Sequence, residues 1–301
     1  MTALCRRPEN LSDLSHPVLR IAIGDVRDPA SYVPLLPRDG SVFHLASVRN
    51  HRARIREMQE VNVDATLALA RQAGERGTAR FVHVATALIY GPADGRKART
   101  EGDDLGGAFG DYARSKAAAV QGLRGLARVG LPAVTVCPSI VFGPDHPSHP
   151  NRVTSEIRRL LEGGPRIRIG GGRQVRNLVF VEDVIRGLLA AEARGGAGEE
   201  YLLAGEEVSP RDFGDRVLLL AAARGGMTIP LPSGVALAAA GIADRLRGHD
   251  AGSGYAVAVQ NLLREWRFSS GKAGQDLGYE PLPLVEGLAR TISWIRSMGE
   301  R

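Results

Sequence analysis

The stretch Arg80-Phe-Val-His-Val-Ala-Thr86-Ala-Leu-Ile-Tyr90 opens as an apolar, β-branched run, and farther on Tyr112-Ala-Arg-Ser-Lys116 heads a long amphipathic segment. Near-continuous apolar character marks a strand buried on both faces, as in a parallel sheet covered by helices. Working outward, similar runs occur at 2–5, 18–23, 42–46 and 133–137, with 80–85 between the last two. Segments 54–73 and 111–129 repeat apolar residues near i, i+3, i+4 and i+7 and are expected to be helices. Strands alternating with helices give an α/β fold with a doubly wound parallel sheet, Rossmann-like in plan.

Beyond Pro144 the pattern changes. Residues 145–172 are rich in Pro, Gly and Arg and are expected to be loops. Residues 179–191 read as a strand end followed by a helix, 200–203 as a strand, and the chain from Ser209 onward as mostly helical. It closes on a helix at 283–298 with Leu284, Leu288, Ile292 and Ile295 on one stripe. The expected division is a core of 1–144 completed by 173–204, with 145–172 and 205–301 forming a smaller, mostly helical lobe. That lobe would lie beside the carboxyl edge of the sheet, where open α/β sheets bind ligands.

Composition excludes several classes. With 44% hydrophobic residues and 39 Lys+Arg against 33 Asp+Glu, the 301-residue chain can fill a core and lacks the bias of a disordered one. Its longest apolar runs, 217–223 and 235–243, are far below the ~20 residues of a membrane-spanning helix, and no signal-peptide pattern opens the chain. Cys5 and Cys137 are the only cysteines, which excludes a disulfide framework. A cytoplasmic, non-membrane protein is expected. The positive charge is almost all arginine, scattered among acids and glycines, unlike the clustered basic face of a nucleic-acid binder. His146 and His149 have one acid and no cysteine nearby, so no metal site is expected.

Tyr112 and Lys116 are one helical turn apart, so phenol and ammonium share a face. A nearby cation lowers a phenol's pKa from about 10 toward the working pH, which suits a general acid/base. Thr86 stands at the carboxyl end of a buried strand, where its hydroxyl can reach a substrate carbonyl or alcohol.

Several motifs, in order, then resemble the extended short-chain dehydrogenase/reductase family, also called the NAD-dependent epimerase/dehydratase family. They are Gly24-Asp25-Val26-Arg27-Asp28, Phe43-His44-Leu45-Ala46, Asn62-Val63-Asp64-Ala65-Thr66, Thr86 with Tyr90-Gly91, Tyr112 with Lys116, Pro138-Ser139-Ile140-Val141-Phe142-Gly143-Pro144, and Arg176 through Asp183. The resemblance implies Tyr112 as catalytic acid/base, Lys116 as the residue holding the nicotinamide ribose and lowering the phenol's pKa, and Thr86 as the group orienting the reacting oxygen. Asp25 and Val26 would flank the adenine. Leu45, Ala46 and Asn62 would line the cofactor, and Pro138 and Ser139 would pack near the nicotinamide. Ile140 and Arg176 would face the substrate. The closing region, Ile229 through Ala240, Phe268 through Ala273 and Leu277 through Pro281, resembles the branch of 3β-hydroxysteroid dehydrogenases and dihydroflavonol reductases; its apolar helices would suit an apolar substrate, and helix packing explains them equally well.

Departures sharpen this. A fold of this kind opens with a strand and a Gly-rich turn at a helix N-terminus, but 2–5 followed by Arg6-Arg7 resembles the family's second strand and the loop after it. The expected explanation is that Met1 is an internal codon of a frame encoding about 330 residues, one βα unit longer. A truncated, degenerate chain is the alternative. Arg6 and Arg7 stand where the ribose is read, which favours NADP over NAD. Where family dehydratases carry an Asp-Glu pair, this chain has Ala87 and Leu88, so dehydration is not expected. Ile140 replaces the Asn of sugar epimerases, whereas Arg176 matches their diphosphate-binding arginine.

The leading expectation is an NAD(P)-dependent oxidoreductase interconverting a secondary alcohol and a ketone. A nucleotide-sugar epimerase and a non-catalytic nucleotide-binding accessory protein or pseudoenzyme are the alternatives. The expected partner is a small-molecule substrate, with a homodimer through a four-helix interface.

Overall fold

The computed structural model describes residues 1–11, 16–49, 55–145, 151–249, 252 and 254–299. His146 and His149 lie outside the described residues. Four strands, β3 (Ser41–His44), β4 (Arg80–Val84), β5 (Ala133–Pro138) and β9 (Glu200–Leu203), form a parallel sheet in the order β3-β4-β5-β9. Its central strands alternate between two apolar layers, which is why they read as unbroken hydrophobic runs. Phe81 and Ala133 pack against Leu69, Ala70 and Ala73 of α3 (Thr66–Glu75) and Leu123 of α4 (Asp111–Arg128). Val82, Val134 and Val136 pack against Val184, Leu188 and Ala191 of α6 (Val181–Arg194) and against Ala273 and Leu277 of α10 (Gly271–Leu277).

Two further strands, β1 (Thr2–Cys5) and β2 (Arg20–Ile23), pair in parallel with each other and form a sheet of their own. The connection from β2 runs through α1 (Pro29–Tyr32), capped by Asp28, whose carboxylate accepts the Ala30 N–H. The expected helix at 54–73 is observed as α2 (Ile55–Met58) continuing into α3 through a π-wound stretch, Gln59–Ala65. The wider winding turns Asn62 fully inward, a deviation common at functional sites.

The reading of 145–172 as loops is corrected. Arg152–Leu161 forms helix α5, and Arg166–Ile169 forms strand β7. Asn151 caps α5 by accepting the N–H groups of Val153 and Thr154, an N-cap residue of the favoured type. Ile157 and Leu160 then enter a cluster with Phe142, Phe180, Phe213 and Val217. The Pro and Gly residues that suggested loops are the punctuation at each end of these elements. The strand β8 (Arg176–Phe180) lies between β6 (Ile140–Phe142) and β10 (Glu207–Val208), and β7 pairs in parallel with β11 (Thr228–Leu231). Helices α7 (Pro210–Ala221), α8 (Ser233–Arg247), α9 (Tyr255–Leu262) and α11 (Leu284–Gly299) complete the chain. Leu284, Leu288 and Ile292 of α11 are buried in the same cluster as Ile157, with Ile295 packed against it. Among the described residues no helix is long and apolar enough to cross a membrane.

Candidate active site

The carboxyl ends of β3, β4 and β5 converge on the first turn of α4. Lys116 is 1% exposed, and its ammonium donates to the Val84 carbonyl at the end of β4, 2.7 Å away. Burial is the larger influence on it and lowers its pKa from 10.5 to about 8. Two residues beyond Val84, Thr86 is half-buried, and its hydroxyl accepts the Leu88 N–H at 3.4 Å as the cap of a short 3-10 turn, Ala87–Tyr90. Ala117 of α4 packs in one cluster with Ala85 and Ala87 on either side of Thr86. The helix bearing Tyr112 and Lys116 is thereby set against the strand end bearing Thr86.

Tyr112 differs from the sequence reading in its partners. Burial raises its pKa, and the opposing influences are the Arg49 charge and a hydrogen bond with Ser47. Lys116 is turned toward the β4 backbone. Ser47 and Arg49 follow the Phe43-His44-Leu45-Ala46 motif, and sequence reasoning missed them because loop residues carry no periodicity. Leu45 and Ala46 are exposed at the end of β3.

Asn62 ties this loop to α4. Its amide nitrogen donates to the Val48 carbonyl and to the Ser115 hydroxyl, both at 2.9 Å, while its oxygen accepts the Val48 N–H at 2.7 Å. Ser115 in turn donates to the Tyr112 carbonyl at 2.8 Å. Asn62→Ala removes three hydrogen bonds at once, two to the part-buried Val48 backbone and one to Ser115, so it is expected to lower unfolding stability by about 1–3 kcal/mol, read by urea denaturation.

Beneath Lys116, His44 and His83 stack with ring centroids 5.5 Å apart. His44 shares a 2.8 Å hydrogen bond with Thr66, whereas neither ring nitrogen of the fully buried His83 has a partner among the described residues. Burial first, and Lys116 second, lowers His44 to about 3 and His83 well below 6.5. Both rings are neutral in the fold and protonate first in the unfolded chain. The stability they confer is therefore complete above pH 6.5 and is lost progressively as pH falls toward 3. An acid titration followed by circular dichroism is expected to show unfolding in that window, shifted to lower pH by His83→Phe.

The remaining sequence-singled residues form two other groups. Arg6 and Arg7 are exposed just past β1, and the Arg6 charge acts on Asp25 just past β2. Hydrogen bonds from Arg27, chiefly its side chain, hold Asp25 at about 2, with Val26 between them half-buried. Pro138 is buried at the end of β5, and the Ser139 hydroxyl is buried without a partner among the described residues. Ile140 follows directly in β6 and pairs with Leu178 of β8. At the start of β8, half-buried Arg176 donates through Nη2 to the Leu262 carbonyl at 3.3 Å, and its Nε has no partner among the described residues. Tyr90 has a supporting place: it is fully buried and donates to Glu200, which Arg124 also holds in an ion pair. Gly91 beside it has φ +77, and a Cβ there would lie 2.5 Å from the Gly107 carbonyl oxygen. Among the described residues no group of three His, Cys, Asp or Glu side chains is placed to hold a metal.

The family model described as the NAD dependent epimerase/dehydratase family matches residues 2–204. The chain belongs to this family. It is 28% identical over 295 residues to a dTDP-glucose 4,6-dehydratase of Streptomyces griseus, across 95% of this chain and 81% of that protein. It is 30% identical over 249 residues to a 4-hydroxy-2-methyl-3-oxo-4-farnesyl-3,4-dihydroquinoline-1-oxide ketoreductase of Stigmatella aurantiaca, across 79% of this chain and 72% of that one. Among solved structures, gox2253 superposes with a TM-score of 0.81 at 26% identity, covering 99% of this chain and 90% of that one. DesIV, a dTDP-glucose 4,6-dehydratase of Streptomyces venezuelae solved as a double mutant with NAD and DAU bound, superposes at 0.77 with 28% identity, covering 98% and 87%. The Rossmann-like reading and the family resemblance stand.

Proposed function

We propose that this protein is an NAD(P)-dependent oxidoreductase interconverting a secondary alcohol and a ketone. The observation that carries this is the junction of β4 and α4, where Lys116 is tethered two residues before Thr86 and one helical turn after Tyr112. The nicotinamide, when bound, supplies the hydride chemistry. The residues fit its ribose end: Lys116 uses one of three ammonium protons on Val84, and the buried Ser139 hydroxyl lacks a partner that a ligand would provide. Tyr112 gives a proton to the carbonyl oxygen in reduction and takes it back in oxidation, while the Thr86 hydroxyl holds the same oxygen in line. Arg6 and Arg7 favour a 2′-phosphate and hence NADP.

Water elimination needs an acid and a base beside the reacting carbons, and the two residues after Thr86 are Ala87 and Leu88. The reading therefore follows the ketoreductase relative rather than the dehydratases. A second reading, nucleotide-sugar epimerase, is favoured by Arg176, whose Nε, unpartnered among the described residues, suits an anionic substrate group. Incubation with NADH or NADPH and a panel of cyclic ketones, dTDP-glucose and UDP-glucose separates the readings. Net nicotinamide oxidation with a ketone supports the oxidoreductase; inversion of a sugar carbon with no net turnover overturns it.

A further inference from the structure

The turn after β4 and the helix α4 supply the residues of the proposed site, and both are tied to one buried carboxylate. Tyr90 closes the 3-10 turn that Thr86 caps. Burial raises the pKa of its phenol, which therefore keeps its proton, and the hydroxyl donates to Oε2 of Glu200 at 2.5 Å. The same carboxylate is held from α4, where Arg124 donates through Nε to Oε1 at 2.5 Å and through Nη2 to Oε2 at 3.0 Å. Tyr112, Lys116, Val120 and Arg124 follow one another at intervals of four along one ridge of that helix. Glu200, buried at the start of β9, joins the turn that begins at Thr86 to the ridge that begins at Tyr112.

A second contact acts in the same sense. Gly91, with its positive φ, brings the chain so close to the Gly107 carbonyl that a Cβ would not fit, and Gly107 ends a short turn four residues before α4 begins. The backbone past Thr86 is therefore seated against the chain that leads into Tyr112. Packing alone does not require the carboxylate. Tyr90 lies in an apolar cluster with Leu105, Ala117, Val120, Cys137 and Leu202, and a buried ion pair exchanged for apolar residues of similar volume is often neutral or stabilising. Apolar contact is non-directional, whereas a charge-assisted hydrogen bond fixes where its partner sits.

We propose that Glu200, with Tyr90 and Arg124, is a positioning latch that sets the Thr86 hydroxyl against Tyr112, so that both meet the same substrate oxygen. The latch rests on the reading of Thr86 as the group that holds this oxygen. It acts through the turn and the helix rather than on the substrate, and its weight comes from the steep dependence of rate on the placement of reacting groups.

Two readouts on the full chain test it, the first without substrate. Hydrogen exchange follows the amides of Leu88, Ile89 and Gly91, which donate to the Thr86 hydroxyl, the Thr86 carbonyl and the Leu88 carbonyl. Tyr90→Phe keeps the ring and removes the tie to Glu200, so these three amides are expected to exchange about tenfold faster while Val120 and Leu123 of α4 stay as in the parent. Unchanged exchange at the turn, or an equal rise throughout α4, overturns the latch. The second readout is a double-mutant cycle on kcat with NADPH and 1-tetralone. Tyr90→Phe is expected to lower kcat about tenfold with KM within about threefold, and to cost nothing further in a Thr86→Val background, where the hydroxyl it positions is already gone. Losses that multiply in the double variant overturn the latch. A kcat that Thr86→Val leaves unchanged, or a parent that does not reduce the ketone, counts against the proposed reaction instead, and the exchange rates at the turn then decide the latch by themselves.

Discussion

Replacing Tyr112 by Phe is expected to lower kcat for ketone reduction by about 100- to 10,000-fold, the span that removal of a general acid produces. The substitution deletes one oxygen from a half-buried ring and breaks its hydrogen bond to Ser47, leaving α4 intact. Cofactor affinity, measured by nicotinamide fluorescence, is expected to change little. A kcat within about threefold of the parent would remove Tyr112 from the mechanism. The pH profile carries further information. Burial raises the phenol while Arg49 and Ser47 oppose it, so Arg49→Gln is expected to move the alkaline limb of the reduction profile to higher pH, where the proton leaves later.

Lys116→Met is expected to abolish hydride transfer and, in the ligand-free chain, to raise stability. Lys116 is almost fully buried, and its pKa falls from 10.5 to about 8. At pH 7 both folded and unfolded chains hold the proton, so the penalty for burying the charge is fully present, about 3 kcal/mol at 1.4 kcal/mol per pKa unit. Between pH 8 and 10.5 the folded chain releases the proton first, and stability rises with pH. Methionine removes the charge at similar length and gives up the bond to Val84, so the net gain at neutral pH is about 1–3 kcal/mol. Urea denaturation at pH 7 and pH 10 reads this directly: the gain is expected to shrink at the higher pH. A less stable variant at pH 7 would show that the Val84 bond outweighs desolvation.

The strand runs were readable because each central strand meets an apolar layer on both faces. The observed bounds of β1 match the expected segment, while β2, β3 and β4 differ at their ends by a residue or two. The placement of Tyr112 and Lys116 one turn apart on α4, and of Thr86 past the end of β4, was readable because a one-turn spacing and a strand end have direct geometric meaning. Other features were beyond the sequence for physical reasons. The π-wound stretch at 59–65 keeps an apolar pattern that fits a regular helix, so the inward turn of Asn62 leaves no mark. Helix α5 was hidden because short elements flanked by Pro and Gly look like loops until their cap and their buried face are both seen. The influence of Ser47 and Arg49 on Tyr112 depends on where a loop folds back, and Asn62 ties that loop at Val48 from a helix later in the chain. His83 carries no signal in the sequence that sets it apart from the rest of its strand, although its ring, unpartnered among the described residues, is buried and feels the Lys116 charge.

The bond from Lys116 to the Val84 carbonyl makes the proposed site a gauge of β-sheet assembly. A slip of β4 by one residue turns every side chain to the opposite face and takes that carbonyl from beneath the ammonium. On the proposed mechanism, misassembled molecules of this chain would thus be silent rather than promiscuous, because the proposed proton-handling face forms only when the central strands have found their neighbours.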